Sequence, residues 1–404
     1  MSRTLLVILA AGIALPFAPP QIRWLHLSSR TGDLPFPGES HQQTGVLVAK
    51  IDSAAGSDFV LSFRQKAPAL VWYRRTAANT WTRYVIEDAF LPLEAGGAAC
   101  DVDGDGDLDI VFGGDYQSNE LWWWENPAPD FQPKVPWKRH IIKNTGAKQY
   151  HDQIFADFKR TGRPQLVFWN QKAKTIFLAD IPPDPRHSGP WPLEAIFQDS
   201  AAPGGKSYPE GIDAVDVDGD GQVDLLAGNY WFKYTAGRFQ PVRVGAIGGR
   251  IRAARFKPGR TAQIVIAPGD GSGPLRIYEA HGDPVRPESW VGRDLLDRDM
   301  IHGHTLDIGD VNGDGKLDIL AAEMAQWTDG AARPDNPNAT AWILYGDGKG
   351  NFDRTVLKAG DGWHEGKLGD FDGDGRLDIV NKPYTWDTPR IDVWLNRGGT
   401  PKQQ

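Results

Sequence analysis

Four stretches share one nine-residue frame, Asp-x-Asp/Asn-Gly-Asp-Gly-x-x-Asp, at residues 101–109, 216–224, 310–318 and 370–378. Asp101, Asp103, Asp105 and Asp109 alternate along a tight turn, which aims their carboxylates at one centre. The other copies supply Asp216, Asp218, Asp220 and Asp224, then Asp310, Asn312, Asp314 and Asp318, then Asp370, Asp372, Asp374 and Asp378. Hard oxygen ligands in this number suit calcium. The glycines permit the positive φ angles of such a turn. The seventh position is Asp107, Gln222, Lys316 or Arg376. That indifference to side chain predicts a backbone carbonyl ligand there. An EF-hand begins similarly, but it needs a bidentate Glu at position 12 and flanking helices. The chain has Phe112, Ala227, Ala321 and Asn381 at that position, followed by β-branched rather than helical runs.

A second set of residues is sparser. His151, Glu210, His304 and His364 each stand six residues before an acidic frame or an eroded copy of one. Arg250, Arg252, His302 and Tyr208 lie close to equivalent positions, as do Asp152, Tyr150 and Glu365, and the same loops carry Lys148, Lys206 and Arg298. Two chemistries suit this set. The imidazoles and Glu210 can hold a catalytic ion such as Zn2+. Alternatively, His and Tyr serve as base and acid while Arg250 or Arg252 neutralises a uronate carboxylate. A structural alternative stands beside both, since imidazoles can simply fill a polar channel and hold water.

These residues need a scaffold that repeats. Eroded copies of the frame run from Asp157 to Val167, with Gln165 in the last acidic position, from Arg255 to Val265, with Gln263 there, and from Lys50 to Val60, with Asp52 and Asp58 kept. In the first two, Lys159 and Lys257 replace the second Asp, which leaves two readings, a tethered ammonium in place of the ion or a plain solvated turn. The repeats then start at 50, 101, 157, 216, 255, 310 and 370, a spacing of 39 to 60 residues. That is the period of a β-propeller blade. After each turn come an apolar strand, an aromatic strand such as "LWWWENP" (121–127), and a shorter strand such as "WKRHII" (137–142). The last repeat lacks its fourth strand, and the spare segment "IRWLHLS" (22–28) is expected to supply it. The fold class expected is all-β: a seven-bladed propeller over residues 19–404 with four calcium-binding turns. Equivalent positions in a ring converge on its axis. The histidine set should therefore crowd one mouth of the central channel, opposite the acidic turns.

The four turns resemble those of the FG-GAP/VCBS-repeat family, the integrin-α-like seven-bladed propellers, over nearly the whole chain from about Gln21. The resemblance implies fold and calcium but not activity. Members include adhesion modules, polysaccharide lyases and a sugar dehydratase, aldos-2-ulose dehydratase. The expected function is carbohydrate binding at the channel mouth, with lyase or dehydratase chemistry. The alternative is a non-catalytic adhesion or ligand-binding propeller.

Composition narrows the setting. The chain has 404 residues, with 16 Trp, 46 Gly and 30 Pro, which suits short aromatic strands and turns rather than long helices. The net charge of -8 argues against nucleic-acid binding, and four calcium ions would bring it near neutral. Residues 1–18 read as a signal peptide, with Arg3 before an apolar run from Leu5 to Leu15 that is too short to span a bilayer. Secretion or periplasmic export is expected, without a membrane span, as a monomer. Cys100 is the only cysteine, so bound metal rather than disulfides is expected to staple the fold. Asn338-Ala339-Thr340 forms a glycosylation sequon.

Overall fold

The computed structural model describes residues 22–199 and 210–399. The expected signal peptide, Lys206 and Tyr208 lie outside the described residues.

Seven four-stranded antiparallel sheets form the blades of a propeller. Their innermost strands are Gln43–Ala49, Ala98–Cys100, Tyr150–Ala156, Ile212–Val215, Arg250–Ala254, Thr305–Gly309 and Glu365–Gly369. Blade seven is completed by the strand Ile22–Ser28, which pairs antiparallel with Asp392–Gly399 from Ile22↔Gly399 to Ser28↔Asp392. The first described strand thus locks onto the last, leaving no gap in the ring.

Period-two alternation explains how the blades pack. In Leu121–Glu125, Trp122 and Trp124 enter the cluster shared with blade one, whereas Trp123 enters the cluster shared with blade three. Seven such clusters fill the seven spaces between neighbouring blades. The Trp-rich strands are therefore core, with Trp72, Trp122, Trp123, Trp124, Trp169 and Trp231 fully buried. Cys100 is free and half-buried, and burial pushes its thiol up to about 11. Among the described residues, no helix is long and apolar enough to cross a membrane.

Each acidic turn joins an innermost strand to the second strand of its blade, so all of them lie on one face of the disc. The starts of the innermost strands, and the loops between second and third strands, lie on the other.

Candidate functional site

The acidic turns have one shape four times over. The first carboxylate takes the N–H groups of the fourth and sixth residues: Asp101 Oδ1 from Gly104 (2.7 Å) and Oδ2 from Gly106 (3.0 Å). Asp216, Asp310 and Asp370 repeat that pattern. Position five takes the N–H of position seven, as Asp105 Oδ1 does from Asp107 (3.1 Å). Position nine takes the N–H of position two, as Asp109 Oδ2 does from Val102 (3.0 Å). These bonds fix the turn, while Asp103, Asp218 and Asp372 also pair with Arg186, Lys233 and Arg397. Ligand oxygens of Asp101, Asp103 and Asp109 lie within 4.8 Å of one another, as do those of Asp216, Asp218 and Asp224, and of Asp370, Asp372 and Asp374. Asp372 Oδ1 and Asp224 Oδ1 are buried without a hydrogen-bond partner. Burial pushes Asp109, Asp224 and Asp378 up to about 7 and Asp318 to about 6, with neighbouring aspartates adding to the rise in Asp109 and Asp378. Carboxylates so crowded fit a divalent cation, which would remove the need to protonate them.

The eroded turns exclude one of their two readings, the tethered ammonium. Lys159 turns away to Asp180 (3.1 Å) and Glu194 (3.0 Å), and Lys257 to Glu279. Glutamine fills the space instead. Gln165 Nε2 donates to the carbonyl of Arg163 (2.6 Å), and Gln263 Nε2 to that of Thr261 (3.0 Å). Both carbonyls occupy the seventh position, the expected backbone ligand of the full turns. An amide N–H₂ thus binds the carbonyl at which the full turns are expected to hold an ion, and the lysines form ion pairs away from it.

At the opposite face the histidines converge. The His151 and His304 rings lie 5.6 Å apart, and His304 stacks on His364 at 4.1 Å. A β-bulge between His151 and Gln153, with Asp152 at φ +50°, brings His151 and Asp152 together at the strand start. His151 Nδ1 meets Asp152 Oδ2 at 2.7 Å, and His304 Nδ1 donates to the His364 carbonyl at 2.8 Å. The Nε2 atoms of both rings therefore face Glu210 Oε2, at 3.6 Å from His151 and 3.1 Å from His304. Burial pulls the His151 imidazole down, but the Asp152 and Glu210 charges lift it to about 9. Burial pushes Glu210 up, and the His304 and His151 charges overcome this and hold it at about 2.

His364 has a different role from its equivalents. Its Nδ1 accepts from the Lys382 ammonium (2.6 Å), which also donates to the carbonyls of Gln43 (2.7 Å) and Thr44 (2.8 Å). Burial and that positive neighbour hold His364 well below the usual imidazole range, so it is neutral. It packs between His304 and Tyr384.

The two arginines expected to meet a uronate are placed otherwise. Arg250 is buried and bridges Asp152 Oδ1 (2.6 Å), Glu365 Oε1 and the His304 carbonyl (2.9 Å). It ties four blades together and has no face left for a ligand. Arg252 donates to the carbonyls of Ile212 (2.6 Å) and Ile251 (3.0 Å) and lines a separate channel cavity of about 370 Å3 with Asp213, Asp307 and Lys367. His302 stands at the rim, bonded to the Asp270 carbonyl (2.6 Å) and Asp335 (2.8 Å). Tyr150 turns into the core, its hydroxyl held by Lys143 (2.6 Å) and the Ala147 carbonyl (2.6 Å). Arg298 pairs with the buried Glu323 at 2.6 Å, and Lys148 is exposed.

The mouth is a polar cavity of about 90 Å3 lined by His151, His304, His364, Asp270, Tyr384 and Arg64, among others. The last three were not legible at the strand starts, because they come from the far ends of second strands and the loops that follow. Asp270 donates its N–H to Glu210 Oε1 (2.8 Å), and its carboxylate lies 3.6 Å from His304 Nε2. The Asp270 side chain is half-exposed at the mouth, and the desolvation imposed by its surroundings, with the Glu210 charge, raises it while Glu210 is held low. Two carboxylates flanking one imidazole are thus driven apart, an arrangement suited to proton transfer. Tyr384 receives an N–H of Arg64 (2.8 Å), which occupies its acceptor and leaves the phenolic proton free. Burial pushes that phenol up to about 12, so it is protonated.

These features define a seven-bladed β-propeller, and the model of the FG-GAP-like repeat matches two stretches of it, residues 101–168 and 310–380. Among curated protein sequences, none matches significantly. Solved structures share the fold. A lectin from Agrocybe aegerita, described as recognising non-reducing terminal N-acetylglucosamine, superposes with a TM-score of 0.51 at 16% identity, over 83% of this chain and 88% of its own. Rhamnogalacturonan lyase YesX gives 0.46 at 12% identity, over 95% and 76%. At 16% identity the likeness to the lectin is one of fold.

Proposed function

We propose that this calcium-stabilised propeller is exported as a monomer, binds the end of a carbohydrate chain at the channel mouth and acts on it as a lyase or dehydratase. The observation that carries this reading is the pair Asp270 and Tyr384, a raised carboxylate and a protonated phenol lining one small cavity. A volume of about 90 Å3 is far below the roughly 300–1,000 Å3 of an ordinary ligand pocket, so it admits a terminal unit rather than a chain interior. The reaction is an elimination. Asp270 takes a proton from the carbon next to a carbonyl, the C–O bond one carbon further breaks, and Tyr384 returns a proton to the departing oxygen as the double bond forms. With Arg250 committed to Asp152 and Glu365, the mouth favours a neutral keto-sugar end, whose own carbonyl acidifies the proton, over a uronate. The likeness to a terminal-sugar-binding lectin supports the substrate class.

The test is a panel of keto-sugar-terminated and uronate-terminated oligosaccharides followed by the absorbance of the new conjugated double bond. D270N and Y384F should each lower turnover by ~10²–10⁴-fold while leaving the calcium-loaded melting temperature intact. A second reading, binding without catalysis, is favoured by the exposed Tyr116 and Trp327, whose chain neighbours reach the mouth and which offer rings for a sugar face. It is supported if oligosaccharides bind, no double bond forms, and Y116A or W327A abolishes binding.

A further inference from the structure

The geometry points to a zinc-class transition-metal site at the mouth, built by His151, Glu210 and His304 and independent of the calcium turns. Glu210 Oε2 is buried and has no hydrogen-bond partner, although two imidazole nitrogens face it. A proton shared between an imidazole and a carboxylate draws the atoms to about 2.7–2.9 Å. Here His304 Nε2 stands at 3.1 Å and His151 Nε2 at 3.6 Å from that oxygen. Those separations suit a different occupant. Two ligand atoms each ~2.0–2.1 Å from a tetrahedral ion lie roughly 3.3 Å apart. The His151 and His304 nitrogens complete the set, since the three ligand atoms all lie within 4.8 Å of one another.

The surroundings are those of a ligand set rather than a filled core. Each imidazole has its Nδ1 tied to an acceptor, the Asp152 carboxylate for one ring and the His364 carbonyl for the other. That fixes both rings with Nε2 turned inward, where a bound ion would take the place of the Nε2 protons. The other Glu210 oxygen is tied down by the Asp270 N–H, so a single oxygen is presented. Two imidazoles and a carboxylate select a first-row divalent ion over calcium or magnesium. Three protein ligands leave a fourth position that opens on the mouth beside Asp270, whose Oδ1 lies 3.6 Å from His304 Nε2. Nothing in the acidic turns competes, since they offer no nitrogen ligand.

The experiment uses the whole protein, stripped with chelator, dialysed and resaturated with calcium. Zn2+ is then titrated by calorimetry, and Co2+ by visible absorption. One zinc equivalent beyond calcium is expected, with a Co2+ spectrum of tetrahedral intensity. E210Q and H304A should each weaken zinc binding by ~100-fold or more while calcium still raises their melting temperatures as in the parent. Absence of zinc binding and of a Co2+ spectrum in the parent protein overturns the assignment. So does zinc binding that survives unchanged in both variants. The parent Co2+ spectrum decides the matter even if a variant fails to fold.

Discussion

A β-carbon on Gly269 would overlap Glu210 Oε1, and the residue's φ of +62° already excludes most side chains. The loop carrying Asp270 is thus seated directly on the carboxylate that the histidines face. G269A should displace Glu210 and weaken ligand binding at the mouth at least ~10-fold, with only a small fall in melting temperature; calorimetry on both proteins checks this. A second residue gives a pH dependence. Burial, with the Asp52 charge, pushes Asp58 up to about 7, and its turn lacks the full acidic frame. Native Asp58 holds its proton where the unfolded chain, near the ordinary 3.8, has lost it. The stability it contributes is therefore complete below the unfolded value and is lost as pH rises through about 7. In calcium-saturated protein, D58N should flatten this decline, as followed by denaturant unfolding between those limits. The histidine set was legible because a constant offset from the acidic frame survives in the sequence. Arg250 was not: its type and place suggested a cation for a ligand, but only the fold shows Asp152 and Glu365 closing on it. Tyr384 and Asp270 lie on segments whose lengths vary between repeats, so no register could align them with the histidines.

At the scale of the element, the turn is the unit of stability. Four turns carry the acidic frame, and two others close on a glutamine amide. Calcium titration should therefore count four ions per chain, not six or seven. Each site adds about 2.7 kcal/mol at a hundredfold excess over its Kd, so chelation should lower the melting temperature strongly. Q165A should destabilise the protein by about 1–3 kcal/mol, the cost of a lost buried hydrogen-bonding group, equally with and without calcium. The strands were readable from their β-branched and aromatic runs, and the turns from their aspartates. Of the two readings of Lys159, the ammonium in place of the ion fails because the long side chain reaches out to Asp180 and Glu194, which lie outside the repeat frame.

The whole molecule is held by its ring. Because Ile22–Ser28 supplies the outer strand of blade seven, removing residues 22–30 should expose the edge of Asp392–Gly399 and produce aggregation, measured by light scattering, where trimming residues 400–404 should not. The ring also gives the site its form. Blades three, four and six contribute His151, Glu210 and His304, residues far apart in sequence that only closure brings together. The most direct test of the central claim is a crystal structure of the calcium-loaded protein soaked with neutral and uronate-terminated oligosaccharides. A terminal sugar unit should occupy the mouth, within hydrogen-bond distance of Tyr384 and Asp270. Sugar seated only on the outer rim or in the cavity beside Arg252, with the mouth holding water alone, would contradict the account.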